Sequence, residues 1–179
     1  MQVAAINDFD PVWGTALQQS IASNKIDIAH TLLSAGAHVN APAGRNEWIS
    51  ARSALQAATE RGIAPLVTLL LQHGADCNAT AGEFWVLTAL QAAAEEGHLR
   101  IAAMLLEAGA DINAPGASMT DATALEWASL RGRLDIVCLL LERDTDVEGL
   151  EERCKRAAKL AEREGNFVIS KLLKEYKRS

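Results

Sequence analysis

The chain predicts an all-α solenoid of stacked helix-turn-helix units with short hairpin or loop connections, and three observations carry that prediction. Leu17, Leu55, Leu90 and Leu125 recur 38, 35 and 35 residues apart, each inside the same local pattern. That pattern is a Thr or Ser, an alanine-rich run, a break, a second run rich in Leu and Ile, and a closing turn. Only 4% of the 179 residues are aromatic although 49% are hydrophobic, so the core is built from Ala, Leu, Ile and Val, which suits closely packed helices. No single helix pair of this kind buries its own apolar faces, so the copies must stack on one another.

The clearest copy is Leu87 to Asn113, LTALQAAAEEGHLRIAAMLLEAGADIN. Thr88 caps its first helix, whose alanines keep it thin. Gly97 breaks the chain, Leu99 to Leu106 form the second helix, and Gly109 supplies the left-handed terminator. The copies before it are TALQQSIASNKIDIAHTLLSAGAHVNA and SALQAATERGIAPLVTLLLQHGADCNA; the one after is TALEWASLRGRLDIVCLLLERDTDVEG. Each second helix carries an apolar stripe: Ile28, Leu32 and Leu33; Leu66, Leu69 and Leu70; Ile101, Leu105 and Leu106; Ile136, Leu139 and Leu140. Burial of each contributes about 1.5 to 3 kcal/mol. Pro65 aligns with Asp27, Arg100 and Asp135 at the start of the second helix, where a missing N–H costs little.

In the fourth copy Asp144 replaces the glycine terminator and Glu148 replaces the asparagine of Asn40, Asn78 and Asn113, so the regular hairpin stops there. A fifth, weaker copy from Ala157 to Leu173 is coated with charge, as expected of a terminal cap. At the other end, Val3, Ala4, Ala5 and Ile6 read either as the tail of a missing repeat or as a small lid.

These motifs resemble the ankyrin repeat, with its TPLHxAA first helix, central glycine, LLL second helix and GADVNA turn. The resemblance covers about residues 11 to 176, and TALQ in place of TPLH together with the NAPxG linkers is similar to repeats common in filamentous fungi. It implies one ankyrin-repeat domain over residues 1–179. Repeats are expected at about 11–44, 45–81, 82–116 and 117–149, with a capping helix pair over 150–179. It further implies a curved solenoid whose concave groove binds another protein, as an interaction scaffold.

Composition narrows the alternatives. A net charge of −6 argues against broad electrostatic binding to nucleic acid or anionic lipid. Residues 151 to 178 carry nine Lys/Arg against five Asp/Glu, so the body before them is more acidic than the total. Cys77, Cys138 and Cys154 have no metal-like spacing and read as small apolar filler in a reducing compartment. No segment has the length of a membrane span or the pattern of a signal peptide. The expected location is cytoplasmic or nuclear, and the expectation is of no metal and no cofactor. His30, His38, His73 and His98 do not pair with a nucleophile or carboxylate at a recognisable spacing.

The resemblance places residues just before each TALQ-type motif, and those ending each first helix, on the concave side. The candidate binding residues are therefore Trp13, Trp48, Arg52, Phe84, Trp85, Met119 and Asp121, with Glu60, Arg61, Glu95, Glu96 and Arg131 at the helix ends. Apolar rings at loop tips are a binding signal, with folding back over neighbouring loops as the structural alternative. Trp127, inside a first helix, reads as core. The mechanism expected is burial of apolar anchors from Trp48, Phe84, Trp85 and Met119 within a charged rim that selects partner register. The competing reading is a small-molecule-binding or catalytic protein, isomerase- or cyclase-like, in which the aromatic tips enclose an apolar substrate and groove carboxylates act as acid and base.

Overall fold

The computed structural model describes residues 6–10, 14–41, 52–79, 87–116 and 122–176. Ten helices lie among them: α1 (Ala16–Ala22), α2 (Ile26–Ser34), α3 (Ala54–Glu60), α4 (Ala64–Gln72), α5 (Ala89–Glu96), α6 (Leu99–Glu107), α7 (Ala124–Leu130), α8 (Leu134–Arg143), α9 (Leu150–Arg163) and α10 (Phe167–Glu175). They pair in chain order. The first helices stack in one row, α1 on α3, α3 on α5, α5 on α7 and α7 on α9, while the second helices line up outside them. The result is an all-α repeat solenoid.

Alanine decides which row lies inside. Six of the eight residues of α5 are buried, four of them alanine, so neighbouring first helices approach closely. Only Ile101, Ala102 and Leu105 of the nine residues in α6 are buried. The core thus runs between the rows, and the second helices turn their polar faces to water.

Each first helix opens with a complete capping box: Thr15 with Gln18, Ser53 with Gln56, Thr88 with Gln91 and Thr123 with Glu126. The glutamine has a second task. Gln56 Nε2 donates to the carbonyls of Ala79 and Leu87, at 3.2 and 3.0 Å, tying the helix to the turn that leads into the next repeat. Gln56 is 1% exposed, so removing its amide strands a buried turn as well as a cap. Gln56→Ala is expected to cost about 2 kcal/mol in urea unfolding, against a few tenths for an exposed glutamine. In the fourth repeat Glu126 accepts from the Thr123 N–H at 2.8 Å, and its other oxygen meets Arg156 Nε of the cap at 2.9 Å.

A ladder of asparagines joins the exit turns. Asn40 Nδ2 donates to the Gly74 carbonyl at 2.9 Å and its Oδ1 accepts from the Asp76 N–H at 2.9 Å. Asn78 repeats the arrangement with Gly109 and Asp111, at 3.0 and 2.7 Å. Asn7 makes the same rung with Gly36 and His38, at 3.4 and 2.7 Å, and Ile6 beside it is buried. Residues 6 and 7 therefore occupy a place equivalent to a repeat's exit turn, while Val3, Ala4 and Ala5 lie outside the described residues.

The last rung changes partner. Asn113 Nδ2 donates to Asp144 Oδ1 at 3.2 Å, because Asp144 is extended, at φ −71° and ψ 110°, and brings a carboxylate where the other copies present a carbonyl. Arg153 of α9 closes the network with hydrogen bonds to Asp144 Oδ2, Asp146 Oδ2 and the carbonyls of Asp146 and Glu148. The regular turn does stop after the fourth copy, as the sequence indicates.

One part of the apolar stripe is not buried as expected. Ile28 is 51% exposed, whereas its counterparts Leu66 and Ile136 are 0% exposed. Ile28 lies in the first of the described helix pairs, whereas Leu66 and Ile136 lie in pairs that follow another described one.

Candidate functional site

The ends of α3, α5 and α7 stand in register because a second ladder ties each to the following repeat. His98 Nε2 lies 3.3 Å from the Glu60 carbonyl, Arg133 Nε donates to the Glu95 carbonyl at 3.4 Å, and Asn166 Nδ2 donates to the Leu130 carbonyl at 2.9 Å. These side chains cross directly over glycines. A Cβ on Gly97 would lie 2.7 Å from Arg133 Nε, and its φ of +87° already favours glycine. The role of His98 is therefore structural.

The ladder fixes the backbone from which the candidate charges project. Arg52 Nε lies 2.6 Å from Glu60 Oε1. One repeat on, Glu95 pairs with Arg131 of the following copy. Arg131 also lies over the ring of Trp127, 5.8 Å from its centroid, a cation–π arrangement that helps hold the guanidinium in place. Trp127 is thus only half-buried and belongs partly to this surface rather than wholly to the core; its Nε1 is buried without a hydrogen-bond partner.

Glu60 is partly buried in this row, beside Arg52, Glu95 and Glu96. Burial raises its pKa above the usual carboxylate range, Glu96 and Glu95 add to the rise, and Arg52 opposes it. Glu96 is exposed and makes no ion pair among the described residues. The structure therefore brings together Arg52, Glu60, Glu95, Glu96 and Arg131. Arg61 is exposed and joins none of their ion pairs. Trp13, Trp48, Phe84, Trp85, Met119 and Asp121 lie outside the described residues.

A family model of ankyrin repeats in three copies matches residues 55–149, more than half of the chain. The chain belongs to the ankyrin-repeat family. Ankyrin repeats generally serve protein–protein interaction, on surfaces that stacking makes long and continuous. The matched span contains Glu60, Arg61, Glu95, Glu96 and Arg131, and the first helix pair and the cap flank it. A search of curated proteins finds no match.

Among the described residues of this ankyrin array, no group of three or more His, Cys, Asp or Glu side chains is arranged to hold a metal ion. No helix among them is long and apolar enough to cross a membrane. A surface cavity of about 530 Å³ lies elsewhere, against Asn24, Lys25, Ile26, Asp27 and Ile28. The three cysteines are free; burial raises the thiol pKa of both Cys77 and Cys154, which suits filler rather than nucleophiles.

Proposed function

We propose that this ankyrin array is a protein-binding module, and that its partner lies along the concave row formed by the ends of α3, α5 and α7, presenting Lys or Arg side chains to Glu60 and Glu96. One observation carries the reading. Glu60, Glu95 and Glu96 share one electrostatic neighbourhood, yet Arg52 and Arg131 are committed to Glu60 and Glu95, so Glu96 has no cation of its own. A positive side chain from a partner would relieve that repulsion while the existing pairs fix its register. The apolar side chains of Trp48, Phe84, Trp85 and Met119 would supply the anchors.

The sign of the pH dependence follows from Glu60. Its folded-state pKa lies above the unfolded value, so the folded chain holds that proton more tightly, and stability falls as pH rises through the window between the two. Ionised Glu60 is thus a net cost to folding at neutral pH, and a cationic partner offsets it. Affinity is expected to be greatest above the raised pKa and to fall as pH is lowered through it. Glu60→Gln should stabilise the free protein at pH 7, with the gain shrinking as pH falls. Glu60→Gln and Glu96→Gln should each weaken partner capture about fivefold. Capture from the native source, quantified beside thermal melts, checks both effects; two variants that bind like the parent would refute the reading.

A further inference from the structure

The junction of the second and third repeats and that of the third and fourth are built alike. His98 Nε2 lies 3.3 Å from the Glu60 carbonyl across Gly62, and 35 residues on, Arg133 Nε donates to the Glu95 carbonyl at 3.4 Å across Gly97. By the same offset Glu95 is the counterpart of Glu60, and Arg131 is the counterpart of Glu96. The Glu60 and Glu95 side chains sit alike, 25% and 20% exposed.

The contact across these two junctions is nevertheless opposite in sign. At the later one, the Glu95 carboxylate holds the Arg131 guanidinium, which reaches it diagonally from the end of α7. At the earlier one Glu96 stands in the place of Arg131, so the same diagonal sets carboxylate against carboxylate. Burial is the main cause of the raised Glu60 pKa and Arg52 opposes it; of the two neighbouring acids Glu96 contributes more than Glu95, as the diagonal requires. Arg52 comes from the start of Glu60's own repeat rather than from the next one, so it does not fill the diagonal place.

We propose that the Glu60–Glu96 junction is an open guanidinium slot, which the partner fills with one arginine side chain in the way that Arg131 fills its twin on Glu95. What sets the place apart from an ordinary pair of surface acids is that the twin, one repeat on, already seats a guanidinium. Arginine suits the slot better than lysine. Its planar head carries five N–H donors in a fixed fork and serves two carboxylates at once, whereas an ammonium is a compact and more strongly hydrated point charge. The inference rests on the reading that the partner lies along this row, and it narrows that partner to one presenting arginine.

The probe is N-acetyl-arginine amide, titrated into the full chain and followed by the backbone amide NMR shifts of Glu60 and Glu96. The lysine amide and the citrulline amide, which keeps the shape of arginine without its charge, serve as controls. Arginine amide should move both signals together, lysine amide about fivefold more weakly, and citrulline amide not at all. Glu96→Arg supplies the guanidinium from within, so it should raise the melting temperature and abolish the response to arginine amide. Arg131→Glu empties the twin, and a second group of signals, at Glu95 and position 131, should then respond. Equal responses to the three amides, a response that survives Glu96→Arg, or an Arg131→Glu variant with no second response would overturn the slot. The two readings fail separately. No response to arginine amide, with partner capture still weakened in Glu60→Gln and Glu96→Gln, overturns the slot and leaves the row as a binding surface; capture unchanged in both variants overturns the row, and the partner's use of the slot with it.

Discussion

Leu105→Asp is expected to lower the melting temperature by roughly 10 °C or more and to blur the cooperativity of the transition. Leu105 is 0% exposed at the centre of the third repeat, packed between neighbouring copies. The substitution removes an aliphatic side chain worth about 2–5 kcal/mol and places a carboxylate where no described cation waits. Against a typical domain stability of about 5–15 kcal/mol, that is a large share. The damage should spread, because both neighbours lose half of their stacking surface. The same change at Ile28, half in solvent, should leave the melting temperature of the monomer almost unmoved. A scan in which Leu105→Asp melts like the parent would remove Leu105 from the core.

Arg153→Met is expected to release the cap, at a cost of about 3 kcal/mol. The Asp144 carboxylate is buried and the Arg153 guanidinium nearly so, with side chains 5% and 12% exposed. Removing the cation strands Asp144 beside the Asn113 rung, while Asp146 and the Glu148 carbonyl lose their donor as well. The signature should be local. Amide hydrogens of α9 and α10 exchange faster, and those of α3 to α6 keep most of their protection. Adding Asp144→Asn, which discharges the stranded group, should recover much of the loss. Uniform exchange rates along the chain would show that the cap unfolds with the array and is not held by this network.

Much of the fold was legible in the sequence because its determinants are local. A Thr or Ser three residues before Gln, an alanine run and a glycine before the second helix each specify a conformation within a few residues. Failures came where the outcome depends on a neighbour. Ile28 has the same local pattern as Leu66, yet it belongs to the first of the described helix pairs and is half exposed. Trp127 sits at a position filled by Ala92 in the copy before, and what draws it toward the surface is Arg131 above its ring. Asn24 adopts a φ of +55° at the break after α1, where Gly62, Gly97 and Gly132 stand in later copies; asparagine tolerates that conformation, so the missing glycine was no obstacle.

The candidate site was legible in part for the same reason. Glu60 and Glu95 were found by their offset from the repeat leucines, and offset alone brings equivalent positions into one row. The pairing of Arg131 with Glu95 rather than with its own repeat was not readable, since it depends on the rise between copies. The signal that could have found the second ladder is the residue after the central glycine: His98, Arg133 and Asn166 share hydrogen-bonding capacity and little else.

The asparagine ladder has a consequence for how such a chain changes length. Asn40 and Asn78 grip only a carbonyl oxygen and an amide hydrogen of the next repeat, atoms that every residue except proline provides. The rung is blind to side-chain identity, so a duplicated or deleted interior unit presents its neighbours with the same grip. Past Asp144 that freedom ends, because Asn113 there holds a particular carboxylate instead of anonymous backbone. Gain and loss of copies should therefore be tolerated inside the array and resisted at its junction with the cap.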